Sequence, residues 1–257
     1  MKMHWLPYST SVILALLTLA ITLSTIEHYY QTAHNSTTTI ALNSNDEPAV
    51  KEKTIYLTFD DGPSIHTPKL LEILDRYNVK ATFFVVGNNG SYSIIKDAYS
   101  RGHSIGLHTY SHKYKQIYAS KEAYLADLEA IQDVVFKATG HKSYIIRFPG
   151  GSSNSISTPI KKGIMTELAN MVTAKGYQYF DWNVDSNDGL GKLTRKEIAN
   201  NVIAGIKKHN SSIVLQHDIW LESVYAVEDI IKWGLANGYS FAPLTMNSFA
   251  AHHTISN

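Results

Sequence analysis

The sequence contains no cysteine, and this absence limits the chemistry available to the protein. Among the 257 residues there is no Cys, which excludes disulfides, thiolate nucleophiles and Cys-containing zinc or iron-sulfur sites. A metal ion would therefore need His, Asp or Glu ligands, and the chain has 12 His residues. A strong charge is also absent, because 23 Lys and Arg residues balance 22 Asp and Glu residues, for a net charge of +1. We therefore expect no nucleic-acid partner.

Charged residues are missing altogether from Met3 to Ile26. The 20 residues from Pro7 to Ile26 are as many as a helix needs to cross a bilayer core. The segment has no amphipathic face and no clear small-x-small cleavage site after it. The segment therefore predicts an uncleaved signal anchor at residues 1–26 rather than a core helix or a cleaved signal peptide. Lys2 is the only Lys or Arg before Lys51, which predicts a cytoplasmic N-terminus and a folded part outside the cell membrane.

Beyond this segment, the composition predicts a polar linker followed by one globular domain. Residues 27–53 are rich in Ser, Thr and Asn and predict a flexible linker. Hydrophobic residues make up 44% of the chain and charged residues 18%, which is a globular composition with enough apolar residues for one sizeable core. We expect the domain to cover residues 54–249 and a short tail to cover residues 250–257.

Within the domain, short apolar segments alternate with helical patterns. The predicted strands are residues 55–59, 81–86, 103–107, 143–147, 177–184, 212–216 and 239–241. The predicted helices are residues 68–77, 92–100, 121–139, 161–175, 194–209 and 224–236. Ser120 is a predicted helix cap, and Thr194 with Glu197 matches a capping box. This alternation predicts a distorted (β/α) barrel of about seven parallel strands, with a doubly wound sheet as the alternative.

Both folds place the chemistry in loops that follow the carboxyl ends of strands. Five predicted strands run into ionisable groups at this point. The segments are Asp60-Asp61-Gly62-Pro63, His108-Thr109-Tyr110-Ser111-His112, Arg147-Phe148-Pro149-Gly150, Asp185-Ser186-Asn187-Asp188 and His217-Asp218. Each has a plain structural explanation by itself, since Asp, Gly and Pro form turns and a single His or Arg is often only a solvated or core residue. Their shared position at one end of the sheet favours a functional site.

The residue types at these positions suit a metal centre with acid and base groups. Asp60 and Asp61 suit a division between metal binding and proton transfer, although the residues alone do not decide which carboxylate has which role. His108 and His112 have the i, i+4 spacing that places both imidazoles on one side of a helical turn, as in other zinc sites. His217 lies between an apolar strand and a second carboxylate, which indicates a buried, hydrogen-bonded imidazole.

In order and spacing, the five segments resemble the five motifs of the NodB-homology polysaccharide deacetylases, carbohydrate esterase family 4. Thr58-Phe59 before the first segment and Leu215-Gln216 before the last belong to the same resemblance, which extends from about Thr54 to Phe249. It implies a metal-dependent hydrolase that removes acetyl groups from sugars on a distorted (β/α) barrel. The metal ligands implied by the resemblance are Asp61, His108 and His112.

The resemblance also implies roles for the remaining residues. Asp60 is the implied general base, oriented and kept ionised by Arg147. His217 is the implied general acid, its charge supported by Asp188. A backbone N–H between Phe148 and Gly150 would bind the oxyanion, and Leu215 would line a small apolar pocket for the acetyl methyl group. The expected cofactor is a divalent metal, zinc in the first place, with cobalt and nickel equally suited to such ligands.

Two positions depart from the family pattern. Gly189 stands where many members have Trp, so we expect this wall of the acetate pocket either to be missing or to be supplied by Trp220 or Trp182. Gly150 stands where an aromatic residue often follows the Pro, which would open the cleft. Neither change affects an implied ligand, base or acid.

The expected reaction is removal of the N-acetyl group from N-acetylglucosamine residues of cell-wall peptidoglycan, the polymer within reach of an anchored domain. Deacetylation of chitooligosaccharides or acetylxylan is the alternative within the same class. A catalytically silent domain that binds wall glycan is an alternative of another class. A serine hydrolase is a further alternative, because Gly102-His103-Ser104-Ile105-Gly106 matches G-x-S-x-G, but Ser104 falls inside a predicted strand. The sequence does not indicate an oligomeric state.

Overall fold

The computed structural model describes residues 53–87 and 92–257. The predicted membrane anchor and nearly all of the predicted linker lie outside these residues. Of the helices that the structure describes, none is sufficiently long and apolar to cross a membrane. The strands are β1 (Thr54–Asp60), β2 (Thr82–Val85), β3 (Ser104–Leu107), β4 (Ile145–Ile146), β5 (Gln178–Tyr179), β6 (Val184–Asp185), β7 (Ser211–His217) and β8 (Ser240–Phe241). The helices are α1 (Thr67–Arg76), α2 (Tyr92–Ser100), α3 (Tyr114–Ile117), α4 (Lys121–Thr139), α5 (Ile164–Ala174), α6 (Arg195–Ile206) and α7 (Leu221–Ala236).

Seven strands form one parallel path in the order β5-β4-β3-β2-β1-β7-β6. The short strand β8 pairs with the first two residues of β1. It lies on the same edge of β1 as β2, which pairs only with the last three residues of β1. The path runs through the sequence without reversal from β5 to β1, as in a barrel and unlike a doubly wound sheet. Because β5 and β6 stand at its two ends, the strands make an open half-barrel. The prediction of about seven parallel strands is confirmed, and the barrel is only partly closed.

The strand predicted for residues 177–184 is wrong, because this segment forms two short strands at opposite ends of the path. Side-chain hydrogen bonds supplement the few backbone hydrogen bonds of the residues between them. Both oxygens of the Asp181 carboxylate accept hydrogen bonds from Ser152, and one also accepts the His253 N–H. The Asn183 side chain donates to the Ser211 carbonyl oxygen and accepts from the Ile213 N–H, at 2.9 and 2.7 Å. The sequence also gave no indication of α3.

Both predicted helix caps are confirmed, and both are made by side chains. Ser120 Oγ accepts the Ala123 N–H at 3.1 Å, and Gly140, which caps the end of α4, has a left-handed φ of 77°. Thr194 and Glu197 form the reciprocal capping box of α6. The beginning and end of α4 are therefore fixed by local sequence, which matters because α4 packs beneath the His108–His112 turn.

Alternate residues of β1 face two different environments. Ile55, Leu57 and Phe59 belong to the large apolar core that the helices cover, whereas Tyr56 packs with the smaller cluster inside the half-barrel. That inner cluster consists of Phe84, Ile145, Phe180, Ile213, Leu244 and Ala251. Thr58 shares the inner face and accepts a hydrogen bond from Arg147. The same alternation places Asp60 at the carboxyl end of the inner face.

The segment predicted to be a tail, residues 250–257, packs against the domain. The Ala251 carbonyl oxygen accepts the Asp181 N–H at 2.9 Å. Asn257 covers the N-terminus of α5, since its Oδ1 accepts the Gly163 N–H at 2.7 Å and its carbonyl oxygen accepts the Thr166 N–H at 2.9 Å. These are N–H groups that a helix start leaves without intrahelical partners.

Candidate active site at the carboxyl ends of the strands

The structure brings the three predicted metal ligands together. Asp61, His108 and His112 each offer one ligand atom, and these atoms lie within 4.8 Å of one another. Asp61 Oδ1 is 3.5 Å from His108 Nε2 and 3.2 Å from His112 Nε2. One carboxylate with two imidazoles is a donor set that leaves coordination positions open for water and substrate. The group fits a divalent metal ion.

The backbone around these ligands is irregular, so the helical turn expected between the two His residues is wrong. Residues 108–113 form no helix, and Thr109 and His112 have φ values of 70° and 53°. Asp61 also has a left-handed φ of 70°. These turns nevertheless bring the imidazole rings of His108 and His112 to a centroid distance of 5.1 Å.

The protonation states of the ligands also suit a metal. His108 Nδ1–H donates to the Arg147 carbonyl oxygen at 2.8 Å, which leaves Nε2 as the metal-binding atom. Burial lowers the pKa of both His108 and His112, so both rings are neutral, as metal ligands must be. Burial raises the pKa of the Asp61 carboxyl, a cost that a bound cation would offset.

Arg147 and Asp60 form a buried ion pair beside this cluster. Arg147 is 0% exposed, and its Nη1 donates to Asp60 Oδ1 at 2.8 Å and to Thr58 Oγ1 at 2.7 Å. Its Nε and Nη2 groups donate to the carbonyl oxygens of Phe180 and Asp181. The second Asp60 oxygen lies 3.7 Å from His108 Nε2. Arg147 therefore fixes one Asp60 oxygen while the other faces the metal ligands.

His217 lies opposite Asp60, because the two residues pair in register on β7 and β1. Its Nδ1 is 2.7 Å from Asp188 Oδ1, and Asp188 Oδ2 accepts the His217 N–H at 2.8 Å and the Ser223 hydroxyl at 2.5 Å. Burial alone would lower the pKa of His217, but the hydrogen bond and charge of Asp188, together with the charges of Asp60 and Asp61, raise it to about 9. His217 is therefore a cation at neutral pH. Sequence reasoning missed Ser223, for which no motif gives a signal.

Asp218 is a second buried carboxyl that sequence reasoning left without a role. Its Oδ2 accepts a hydrogen bond from the Thr67 hydroxyl. Burial raises the pKa of Asp218 to about 7. Its carboxyl group lies against Gly62, where a Cβ would be only 2.2 Å from Oδ1. The absence of a side chain at Gly62 therefore allows the turn that carries Asp61 to pack on Asp218.

A depression beside His217 is the candidate pocket for the acetyl group. It is lined by Asp185, Asn187, Gly189, Leu190, Leu215 and His217. Leu215 lies where the resemblance implies. Leu190, which the sequence did not single out, is 76% exposed in this depression.

The tryptophans expected to form a wall of this pocket lie elsewhere. Trp220 packs on Gly191, where a Cβ would be 2.7 Å from its ring, and lines a separate cavity of about 100 Å³ behind Asp188. Trp182 lies beside Arg147 and His253. Neither tryptophan lines the depression beside His217, so the expectation that one of them replaces the Trp missing at Gly189 is not supported. The apolar side chains of the depression are Leu190 and Leu215.

Of the predicted substrate-binding residues in the third segment, neither Phe148 nor Gly150 offers a side chain to the cleft. The Phe148 side chain is fully buried, with ring centroids 5.4 Å from those of Tyr124 and Tyr179. Gly150 has φ 75°, a conformation that disfavours the aromatic residue found in many family members. Tyr114 of α3, missed from the sequence, lies beside Gly150 and packs edge-on against the His112 ring.

The serine hydrolase hypothesis is not supported by the position of Ser104. Ser104 begins β3, and its hydroxyl donates to the Leu244 carbonyl oxygen at 2.7 Å. It therefore lies at the amino end of the parallel strands, whereas His217 ends β7. A nucleophile elbow would have to lie between a strand and a following helix.

Comparison with known proteins identifies the family. The sequence matches the polysaccharide deacetylase family over residues 47–164. A peptidoglycan-N-acetylglucosamine deacetylase of Bacillus cereus is 32% identical over 198 residues, which cover 74% of this chain and 69% of that protein. The chain belongs to the polysaccharide deacetylase family. A peptidoglycan-N-acetylglucosamine deacetylase of Listeria monocytogenes is also 32% identical, over 76% of this chain and 39% of its own length.

A solved structure extends the match to the whole fold of this polysaccharide deacetylase. The catalytic domain of a peptidoglycan N-acetylglucosamine deacetylase from Eubacterium rectale superimposes with a TM-score of 0.79 and 50% sequence identity. The match covers 85% of this chain and 99% of that domain. The family resemblance of the five segments is thus confirmed.

Proposed function

We propose that this polysaccharide deacetylase removes the N-acetyl group from N-acetylglucosamine residues of peptidoglycan. The observation that carries the proposal is the placement of Asp60 and His217 on neighbouring strands, in register, beside the Asp61, His108 and His112 group. The relatives from B. cereus and E. rectale, which are named for this reaction, support the choice of substrate.

Asp61, His108 and His112 would hold the metal ion. A divalent cation bound there supplies Lewis acidity, which lowers the pKa of a coordinated water and polarises a carbonyl oxygen. Zinc suits one carboxylate and two imidazoles, and cobalt and nickel suit them as well.

Asp60 and His217 carry the two proton transfers of amide hydrolysis in this proposal. Asp60 is the base that accepts the proton of the attacking water, and Arg147 leaves its outer oxygen directed at the ligand cluster. His217, a cation held by Asp188, is the acid that protonates the departing sugar nitrogen. A raised pKa keeps the acid charged at neutral pH, which is the form that it needs. Leu215 and Leu190 offer apolar contact to the acetyl methyl group.

Acetate release by the full chain in detergent tests the proposal. We expect metal-dependent release from peptidoglycan that exceeds release from chitooligosaccharides and acetylxylan, and loss of that release after chelation and in His112→Ala. An opposite substrate order would assign one of these other polymers. No acetate from any N-acetylglucosamine polymer, with zinc, cobalt or nickel added, would contradict the proposed reaction and favour a silent glycan-binding domain.

The proposal includes an extracytoplasmic location for the domain, on a single N-terminal membrane anchor. The charge-free sequence from Met3 to Ile26 and a wall polymer as substrate support this location. Fractionation of cells followed by protease treatment from outside tests it. The domain should sediment with membranes and be cleaved in cells whose cytoplasmic proteins stay intact, and a soluble or protected domain would contradict the location.

A further inference from the structure

The turn between His108 and His112 depends on a hydrogen-bond acceptor from outside the turn. Two of its residues have left-handed φ values, and no helix or strand covers residues 108–113. The backbone N–H groups of Tyr110 and Ser111 both donate to Asp127 Oδ1, at 2.6 and 3.0 Å. A single carboxylate oxygen thus holds the middle of the turn that joins the two imidazole ligands.

Asp127 is well placed to act as a fixed support. It lies on α4, whose start is capped by Ser120 and whose Tyr124 and Leu128 are fully buried in the core. Asp127 is only 6% exposed, and no Lys or Arg within residues 53–87 and 92–257 forms an ion pair with it. A buried carboxylate without a cation is unfavourable unless hydrogen bonds compensate it, and the two turn amides provide that compensation.

We propose that Asp127 is a positioning residue for the metal site, which holds the His108–His112 turn in the conformation that directs both imidazoles at one ion. Supports of this kind determine metal affinity because they orient the ligands before the ion binds. The inference rests on the proposed metal site, but it does not depend on the identity of the glycan substrate.

Zinc affinity, measured by competition with a chromophoric chelator on the full chain, tests this role. Replacing Asp127 by Ala removes the acceptor, and we expect zinc affinity to fall by about 10- to 100-fold. Asp127→Asn keeps a side-chain oxygen at the Oδ1 position, so its affinity should stay within about threefold of wild type. Asp133→Ala is the matched control, because Asp133 is an exposed Asp on the same helix, and its affinity should not change.

A further variant separates the position of the Asp127 carboxylate from its charge. It also keeps the proposal testable if Asp127→Ala does not fold. Asp127→Glu keeps the charge but displaces the carboxylate by one methylene group, so we expect weaker zinc binding than in Asp127→Asn. Wild-type affinity in Asp127→Glu with a large loss in Asp127→Asn would overturn the positioning role. Unchanged affinity in a folded Asp127→Ala would overturn it as well.

The outcome also distinguishes this inference from the proposed function. A wild-type chain that binds zinc but releases no acetate would contradict the proposed reaction and leave the positioning role intact if Asp127→Ala binds weakly. Zinc in excess of the variant's dissociation constant should restore acetate release, because the substitution changes the population of the loaded site. A wild-type chain that binds no zinc, cobalt or nickel would overturn both.

Discussion

The charge on His217 depends on Asp188, so Asp188→Asn should abolish most of it at neutral pH. The pKa of His217 is raised from 6.5 to about 9. That difference corresponds to about 3 kcal/mol of preferential interaction with the imidazolium form. Burial acts in the opposite direction, while the charges of Asp60 and Asp61 remain, so removing the Asp188 charge should lower the pKa towards the ordinary value of 6.5. At pH 7.5 the ring then changes from almost entirely charged to mostly neutral.

A nuclear magnetic resonance titration of the His217 ring measures this change without reference to catalysis. The wild-type ring should titrate near pH 9 in the metal-free chain, and the ring of Asp188→Asn much closer to pH 6.5. Stability should follow the same sign, because a raised His pKa stabilises the fold below the unfolded value of 6.5 and this contribution is lost as the pH rises through 9. Asp188→Asn should therefore cost more stability at pH 6 than at pH 10.

The acetate-release profile should show the corresponding loss of the acid. With zinc present for both proteins, activity of Asp188→Asn should decline at a lower pH than that of wild type. Asp185→Asn is the control for charge, since Asp185 is exposed on the same loop and accepts the Asn187 N–H. It should move the His217 titration much less. A His217 that still titrates near pH 9 in Asp188→Asn would refute the assignment of the shift to this pair.

Three further substitutions test the packing around the site. Gly62→Ala would place a Cβ 2.2 Å from the Asp218 carboxyl oxygen, so we expect weaker zinc binding and a large loss of stability. Gly238→Ala is the control, because no atom lies within 4 Å of its new Cβ, and it should cost only about 1 kcal/mol of left-handed strain. Equal losses of stability in thermal unfolding would contradict the contact between Gly62 and Asp218. Burial raises the pKa of Asp218 from 3.8 to about 7, so the free-energy cost of burying this carboxyl group grows as the pH rises between these values. The cost reaches about 4 kcal/mol at pH 8 but only about 2 kcal/mol at pH 5. Asp218→Asn should stabilise the metal-free chain to urea more at pH 8 than at pH 5, and an equal gain at both values would argue against a titrating Asp218. Asn257→Ala removes the acceptor of the Gly163 N–H and should lower stability by about 1 kcal/mol without changing zinc affinity. An unchanged melting temperature would show that this cap does not stabilise the fold.

The sequence was sufficient to predict which residues meet at the candidate site, because Asp60 and His217 end apolar strands and His108 directly follows one. Parallel strands bring their carboxyl ends to one edge, so Asp60 and His217 become neighbours although they are 157 positions apart in the sequence. The roles of the two adjacent carboxylates came from family resemblance alone. Their geometry agrees with it, since Asp61 is close to both imidazoles and Asp60 is paired with Arg147.

Residues that act from helices left no comparable signal. Asp127 lies on α4, which follows α3 and the turn in the sequence, and it supports that turn by hydrogen bonds. Ser223 lies in the first turn of α7 and donates to Asp188. In the sequence both are ordinary helical residues, because a polar side chain at a helix position indicates solvent as readily as a distant partner. The position of Trp220 was mispredicted for a related reason. Its location depends on Gly191, whose contact with the indole ring appears only in the folded chain.

The broken strand at residues 177–184 is the deviation with the clearest consequence for the site. In a regular closed barrel, the carbonyl groups of this segment would accept hydrogen bonds from a neighbouring strand. Here the carbonyl oxygens of Phe180 and Asp181 accept from the Arg147 guanidinium instead, at 2.9 and 3.2 Å. Those two acceptors, with Thr58 and Asp60, use donors that only a planar guanidinium presents together, so Lys could not replace Arg147. The opening of the barrel therefore provides the acceptors that hold Arg147 under the proposed base.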